Sequence, residues 1–236
     1  MPNTITLHQI NLHKSKFANF EAFKQTESLR DFIILAQEPH THQGKVTGSP
    51  KGLKTHLTGP SPRSCIIYPS KFNISPLPDL CSEDVTTCLW ETGANAHTKI
   101  ILISVYWDIL LNEIPPKLIT TLEHCRTYNL PYICSMDSNA HSTLWGCKRD
   151  NSRGKTLEEF LIRHGTHLLN SGTQPTFSNQ RYATIIDLTF TDPSLLNLLS
   201  HWRIHDTPSL SDHVSIRTNI NLVIPPPSPL PNLEKC

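Results

Sequence analysis

Hydrophobic positions along the chain follow two periods, and the alternation between them predicts strands interleaved with helices. Residues 5–11 read as a strand with Ile5, Leu7 and Gln9 on one side. Residues 16–29 carry Phe17, Phe20, Ala22 and Phe23 at near-helical spacing, which predicts a helix with a broad apolar face. Phe32–Gln37 is a short unbroken apolar run and therefore a buried strand. Further strands are expected over residues 64–68, Val85–Glu91, Lys99–Tyr106 and Tyr132–Asp137. A helix over Pro116–Tyr128 opens on Pro115 and Pro116, and another over residues 155–164 can be capped by Gly165. Late strands are expected over residues 184–190, 202–206 and 214–222.

Residues 39–62, rich in Gly, Pro, Thr, His and Lys, read as one long surface loop. Beyond Val223 the run Ile-Pro-Pro-Pro-Ser-Pro-Leu-Pro reads as an extended tail. The chain thus divides into a domain over residues 1–222 and a linker or tail over residues 223–236. Many apolar strands with few helices between them suggest an α/β protein in which two sheets pack together and helices flank them.

Composition narrows the class. Hydrophobic residues make up 37% and charged residues 17% of the chain, which suits a folded rather than a disordered protein. No apolar run approaches the ~18 residues of a membrane-spanning helix. Residues 1–12 lack a basic region followed by an apolar one, so an intracellular protein is expected. The seven cysteines form no C-x-x-C pair and no zinc-finger spacing, so reduced thiols are the default. A net charge of +1 neither demands nor excludes nucleic acid, because such binding depends on local basic density.

Polar groups that offer chemistry sit where the expected strands end. Glu38 directly follows Phe32–Gln37, a position at which a carboxylate can face Mg²⁺ or simply water. Asp137 and Asn139 lie two residues apart and point to one side if extended. An acid that handles water beside an amide that donates to developing charge suits phosphoryl chemistry; an Asx-turn leaving the strand is the bland alternative. His213 follows Asp212 before the last strand, and Asp187, a carboxylate within an apolar run, is a candidate to orient it or to form a structural ion pair. Asn11 and Tyr106 end two more strands.

In order, the chain shows Gln9-Ile10-Asn11, Gln37-Glu38-Pro39, Ser104-Val105-Tyr106, Asp137-Ser138-Asn139-Ala140-His141-Ser142, Ile186-Asp187-Leu188 and Ser211-Asp212-His213. That series resembles the endonuclease/exonuclease/phosphatase superfamily. Trp145-Gly146, Asn151-x-Arg153-Gly154 and Pro175-Thr176-Phe177 bring it closer to the apurinic-type endonuclease domains of non-LTR (LINE-like) retrotransposons. The resemblance implies a four-layered, DNase I-like α/β sandwich. It implies a metal site at Glu38 with Asn11 and Asp212 near it, taking Mg²⁺ or, alternatively, Mn²⁺. Asp137 would position the attacking water, Asn139, Tyr106 and His213 would contact phosphate, and Asp187 would orient His213. Ser211 would support the phosphate, and Thr176 would touch DNA.

The same resemblance implies a double-stranded DNA substrate, nicking that leaves a 3′ hydroxyl to prime reverse transcription, a following reverse transcriptase domain, a monomeric isolated domain and a nuclear location. Two departures stand out. Where many relatives have Gly-Asp-Phe-Asn, this chain has Met136-Asp137-Ser138-Asn139, and His13 stands where repair-type relatives often have an acid. An abasic-site repair nuclease is the nearest alternative; a phosphatase of the same superfamily and an inactive DNA-binding module are others. Lys45, Lys51, Lys54 and Arg63, in or beside the long loop, and Arg181 are candidates for phosphate contacts or ordinary solvated charges.

Overall fold

The computed structural model describes residues 3–94 and 97–223; the expected tail lies almost wholly outside them. In chain order the elements begin with β1 (Asn3–Asn11), α1 (Lys16–Lys24), β2 (Phe32–Gln37), β3 (Thr41–His42), β4 (Lys45–Val46) and β5 (Leu53–His56). They continue with β6 (Ser64–Pro69), β7 (Asn73–Pro76), β8 (Val85–Glu91), β9 (Lys99–Tyr106), α2 (Pro116–Tyr128) and β10 (Tyr132–Asp137). The last are α3 (Ser152–Arg163), β11 (His167–Leu168), β12 (Phe177–Ser178), β13 (Ala183–Thr184), β14 (Asp187–Thr191), β15 (Leu199–Ile204) and β16 (Ile216–Leu222).

Two six-stranded sheets form, ordered β15-β16-β1-β2-β6-β5 and β11-β14-β10-β9-β8-β7. Each is mixed: β1 runs parallel to β2, and β9 to β10, while the remaining pairs are antiparallel. The sheets face each other through Ile5, Leu7, Ile33 and Leu35 from one and Trp90, Ile100, Leu102 and Ile133 from the other. On the outer face of the first sheet, Ala18, Ala22 and Phe23 of α1 cover Ile10, Ile34 and Ile67. On the outer face of the second, Leu118 and Leu122 of α2 and Leu157 and Phe160 of α3 cover Ile101, Val105, Met136 and Leu188. The four layers are helix, sheet, sheet, helix, the DNase I-like sandwich. Both faces of the central strands are dry, which is why they read as unbroken apolar runs.

The interface between the sheets grades from apolar to polar along each strand. Beyond Leu7 comes Gln9, whose amide donates to Met136 O (3.3 Å) and accepts from Thr189 Oγ1 (2.7 Å). Beyond Leu35 comes Gln37, which donates to Ser104 Oγ (3.0 Å) and Ser135 O (3.3 Å), while Ser104 donates to Ala36 O (2.9 Å). These hydrogen bonds fix the register of one sheet against the other, at the cost of the Gln37 Oε1, which is buried with no partner among the described residues. One step further along each strand the functional groups begin.

Several expectations need correction. The first helix stops at Lys24, where Thr26 Oγ1 takes the carbonyl of Phe23 (2.7 Å). Its inner face is Ala18, Asn19, Ala22 and Phe23, whereas Phe17 is 73% exposed and Phe20 stands in solvent. Asn19 displaces the aromatics because its amide donates to the carbonyls of His40 (2.9 Å) and Thr47 (3.1 Å), tying down the following loop. That loop, residues 39–62, is not structureless: it contains a small β3–β4 hairpin and β5, an edge strand paired to β6. The expected strand 184–190 is broken at Ile185-Ile186, because Thr176 Oγ1 accepts the backbone N–H groups of Ile186 and Asp187 (3.0 Å each). Helix α3 starts earlier than expected, on Asn151, whose side chain accepts from Gly154 N (2.7 Å). No helix among the described residues is long and apolar enough to cross a membrane.

Candidate active site

Strands β1, β2, β9 and β10 all end at one rim of the sandwich, and β14 begins there opposite β10, with Asp187 in register with Asp137. The loop before β16 returns to the same rim. Asn11, at the end of β1, is the bridge between the sheets. Its amide donates to Asp137 Oδ2 (2.7 Å) and to Glu38 Oε2 (3.4 Å), while its carbonyl oxygen accepts from His13 N (2.8 Å). Glu38 follows β2 in a left-handed conformation (φ +45°), with the Lys14 ammonium 3.6 Å from Oε1. His13, Lys14, Asn139 and Leu210 also have positive φ, all on the loops of this rim. For residues with a Cβ that conformation costs of order 1 kcal/mol each, and the surrounding hydrogen bonds hold it.

Across the rim, His213 and Asp187 form a buried pair, with Nδ1 2.8 Å from Asp187 Oδ2 and 3.0 Å from Oδ1. Burial alone would lower the pKa of His213. The carboxylate of Asp187, its hydrogen bond, and then Asp137 and Asp212 outweigh burial and raise it to about 9. The Nε2 edge faces Asp137 Oδ2 at 4.0 Å and Asp212 Oδ1 at 3.9 Å, both beyond a hydrogen bond. That N–H is therefore left without a close acceptor. Asp137 is wholly buried, and burial, reinforced by Asp187, pushes its carboxyl up to about 7 against the opposing pull of His213 and Asn11.

Tyr106 ends β9, and burial, then Glu38 and Asp137, holds its hydroxyl in the neutral form well above its ordinary value. The Arg63 guanidinium lies 5.2 Å from its ring and is paired with Asp84 and Asp108. Asn139 donates one amide hydrogen to Trp107 O (3.1 Å), which leaves the other for a ligand. Ser211 donates to Asn11 O (2.8 Å) and accepts from His213 N (3.2 Å), so it locks the loop that delivers Asp212 and His213. Asp212 is also paired with His13 (3.3 Å).

Asn11, Glu38, Tyr106, Asp137, Asn139, Asp187, Ser211, Asp212 and His213 thus gather on this rim. Four other candidates take different places. Thr176, expected at the DNA, is fully buried, and its hydroxyl holds the start of β14; it positions Asp187 from below. Lys51 lies beside Gly52, whose carbonyl accepts from Ser70 N at the far end of β6, roughly 20 Å along the strand from the site. Arg63 spends its guanidinium on two carboxylates. Arg181 is exposed at the tip of the β12–β13 hairpin, whose Phe177 contacts the His213 ring edge-on at 4.8 Å.

One organising residue was present in the sequence motif without a role. Arg153, in the first turn of α3, is buried and has no carboxylate partner among the described residues. It stacks on Trp107 (3.8 Å) and donates to the carbonyls of Trp107 (3.1 Å), Ser138 (3.0 Å), Asn139 (3.0 Å), Asp108 (3.2 Å) and Leu111. It therefore joins the loops that follow β9 and β10. In the sequence Arg153 figures only within Asn151-x-Arg153-Gly154, which does not by itself distinguish a clamp from a surface charge.

The donor set of the rim is carboxylate and amide oxygen, the chemistry that hard divalent cations take. Asp137, Asp187 and His213 also present atoms within 4.8 Å of one another. However, Nδ1 of His213 is already given to Asp187, which leaves only its Nε2 edge to reach an ion. The neighbourhood of Glu38 and Asn11 suits a cation better.

Residues 100–217, half of the chain, match the family model described as endonuclease-reverse transcriptase. No curated protein sequence matches. Among solved structures, the endonuclease domain of TRAS1, a telomere-specific non-LTR retrotransposon, is 26% identical, with a TM-score of 0.79 over 92% of this chain and 98% of that one. The AP endonuclease LMAP of Leishmania major is 12% identical (TM-score 0.71; 92% and 88% covered). The catalytic domain of Xenopus laevis APE2 is 13% identical (TM-score 0.64; 92% and 93% covered). The last two share the fold.

Proposed function

The chain belongs to the endonuclease-reverse transcriptase family, and from that premise we propose that it is a divalent-metal-dependent endonuclease that nicks one strand of duplex DNA. It is a nuclease of the endonuclease/exonuclease/phosphatase superfamily. The nick would leave the 3′ hydroxyl that primes reverse transcription of a non-LTR element by a reverse transcriptase domain of the same polyprotein, acting on chromosomal DNA in the nucleus.

One observation carries the reading. Two chains of paired groups, the buried Asp187–His213 and, facing it across 4.0 Å, Asp137–Asn11 ending on the part-buried Glu38, cross both sheets and leave the Nε2–H of His213 without a hydrogen-bond partner between them. The residues fit a hard cation: Asn11 holds two carboxylates together, and Lys14 reaches only one oxygen of Glu38. Glu38, with Asn11 beside it and Asp212 across the rim, would hold Mg²⁺, or Mn²⁺ in its place. Such an ion, when bound, offsets negative charge on the phosphate and the leaving oxygen.

The protein's own groups do the rest. The imidazolium of His213, kept protonated by Asp187, donates from Nε2 to a non-bridging phosphate oxygen. The Tyr106 hydroxyl and the second amide hydrogen of Asn139 donate to the same phosphate, adding fixed dipoles where charge grows. Asp137, with a carboxyl raised to about 7, accepts a proton from the attacking water at neutral pH. Attack on phosphorus breaks the P–O3′ bond and leaves a 3′ hydroxyl and a 5′ phosphate.

A supercoiled plasmid tests the reading. Conversion to open circles with Mg²⁺, its loss in EDTA and its loss in His213→Ala are expected. Intact plasmid with folded wild-type protein would overturn it, and a duplex with one abasic site would then ask whether damage is the substrate.

A further inference from the structure

The loop leaving β9 ends in a tight turn of unusual composition. Leu111 N donates to Asp108 O (3.0 Å), closing a four-residue turn with Ile109 and Leu110 at its centre. Those central positions ordinarily carry Gly, Pro, Asn, Asp or Ser. Here Ile109 is 62% exposed, Leu110 85% and Leu111 48%. Three adjacent large aliphatic side chains in water bury no core.

The turn is also held rigidly. Asp108 Oδ1 accepts from Leu110 N (2.9 Å), and its other oxygen pairs with Arg63. Arg153 donates to the carbonyls of Asp108 and Leu111 at the two ends of the turn, and to those of Trp107, Ser138 and Asn139. The guanidinium that holds the backbone carbonyls of Asn139 and of Trp107, the acceptor of the Asn139 amide, therefore holds the aliphatic tip as well, and Tyr106 lies two residues before the turn. Two arginine clamps on an exposed turn ensure a defined distance between the tip and the site, something a loop without a ligand does not need.

We propose that Ile109 and Leu110 form a wedge that enters the target duplex beside the scissile phosphate and unstacks one base step. The proposal rests on the DNA-nicking reading. Aliphatic side chains that insert between base pairs partly unstack them and kink the duplex. A preorganised wedge supplies that distortion on binding and brings the phosphate to His213 and Asp137. The attraction is greatest at steps that deform easily, so the wedge also biases the choice of target.

The test uses the full chain. A nick made by the wild type in a plasmid is mapped, and its site is rebuilt as a duplex oligonucleotide in two forms, fully paired and with a mismatch at the step flanking the nick. Leu110→Ser and Ile109→Ser, both at exposed positions, should retain the wild-type melting temperature. On the paired duplex they should nick about tenfold more slowly than wild type, and on the mismatched duplex at near wild-type rates, because the distortion is already present. A 2-aminopurine at that step should brighten with His213→Ala protein and stay dark when Leu110→Ser is added to it.

Variants that nick both duplexes at wild-type rates would overturn the wedge and leave the nuclease intact, pointing instead to a protein partner on the tip. Equal slowing on both duplexes would overturn it too, by placing the turn in catalysis. A wild type that nicks neither DNA would sink the underlying function.

Discussion

At the scale of single residues, the site depends on two buried groups displaced from their ordinary acidity. His213 keeps its proton because the Asp187 carboxylate outweighs burial, with a pKa of about 9 against an ordinary 6.5. A raised folded value means the pair stabilises the protein fully below pH 6.5 and loses that stabilisation as pH rises through 9. Asp187→Asn should therefore narrow its stability deficit relative to wild type between pH 6.5 and 9.5 in urea titrations, while nicking at pH 7 falls roughly 10²- to 10⁴-fold. A deficit that does not change with pH would mean that His213 is neutral. His8 behaves in the opposite sense. It is fully buried beside Arg217, neither ring nitrogen has a hydrogen-bond partner, and burial, then Arg217, lowers its pKa to about 3. Its unfolded form binds a proton first, so stability drains away as pH falls from 6.5 towards 3. Replacement by Leu should remove several kcal/mol of that acid sensitivity, read as the pH dependence of wild type minus variant.

At the scale of elements, the loops after β9 and β10 have no strand pairing to hold them and depend on Arg153 instead. A lysine keeps the charge but loses the planar fork that reaches five carbonyls, and charged hydrogen bonds of this kind contribute about 1.5–3 kcal/mol each to buried acceptors. Arg153→Lys should lower stability by about 3 kcal/mol and slow nicking through a loss in kcat, since the backbone of Asn139 and the Trp107 carbonyl that accepts its amide would no longer be fixed. Unchanged kcat with lowered stability would limit Arg153 to a structural part. Next to it, Gly154 has no room for a side chain: a Cβ would lie 1.8 Å from the carbonyl oxygen of His141. Gly154→Ala should push α3 from the loop 138–141 and lower both melting temperature and nicking, a loss that distinguishes tight packing from helix propensity, which favours alanine.

At the scale of the whole molecule, the two sheets meet through an apolar floor, a polar seam at Gln9, Gln37 and Ser104, and then the carboxylates. Gathering Glu38, Asp137, Asp187 and Asp212 at one rim costs stability in the absence of a cation. Mg²⁺ should therefore raise the melting temperature, by about 2.7 kcal/mol of binding free energy when present at 100 times its Kd. Glu38→Gln should remove most of that shift. An equal shift in the variant would place the ion elsewhere, with the Asp137–Asp187–His213 group as the next location to examine.

The amino-acid sequence by itself determined the period of each long element, and hence the layers. Strands β2, β8, β9 and β10 and helix α2 are legible because each is long, apolar and bounded by turn residues. The strand-end polar groups are legible only as an ordered series, since singly each has a routine structural use, Glu38 as a solvated acid and Asp137 with Asn139 as an Asx-turn. What the sequence left open depends on contacts far apart in the chain. Asn19 turns the face of α1 by binding carbonyls at 40 and 47; Thr176 breaks a strand from ten residues upstream; Lys51 is carried to the opposite end of a sheet by strand direction. Arg153 looks like any basic residue at a helix start until the fold brings five carbonyls around it. Periodicity is a local property that apolar burial enforces, whereas hydrogen-bond partners are chosen only when two sheets close, and the rim where His213 meets Asp137 exists only after they have.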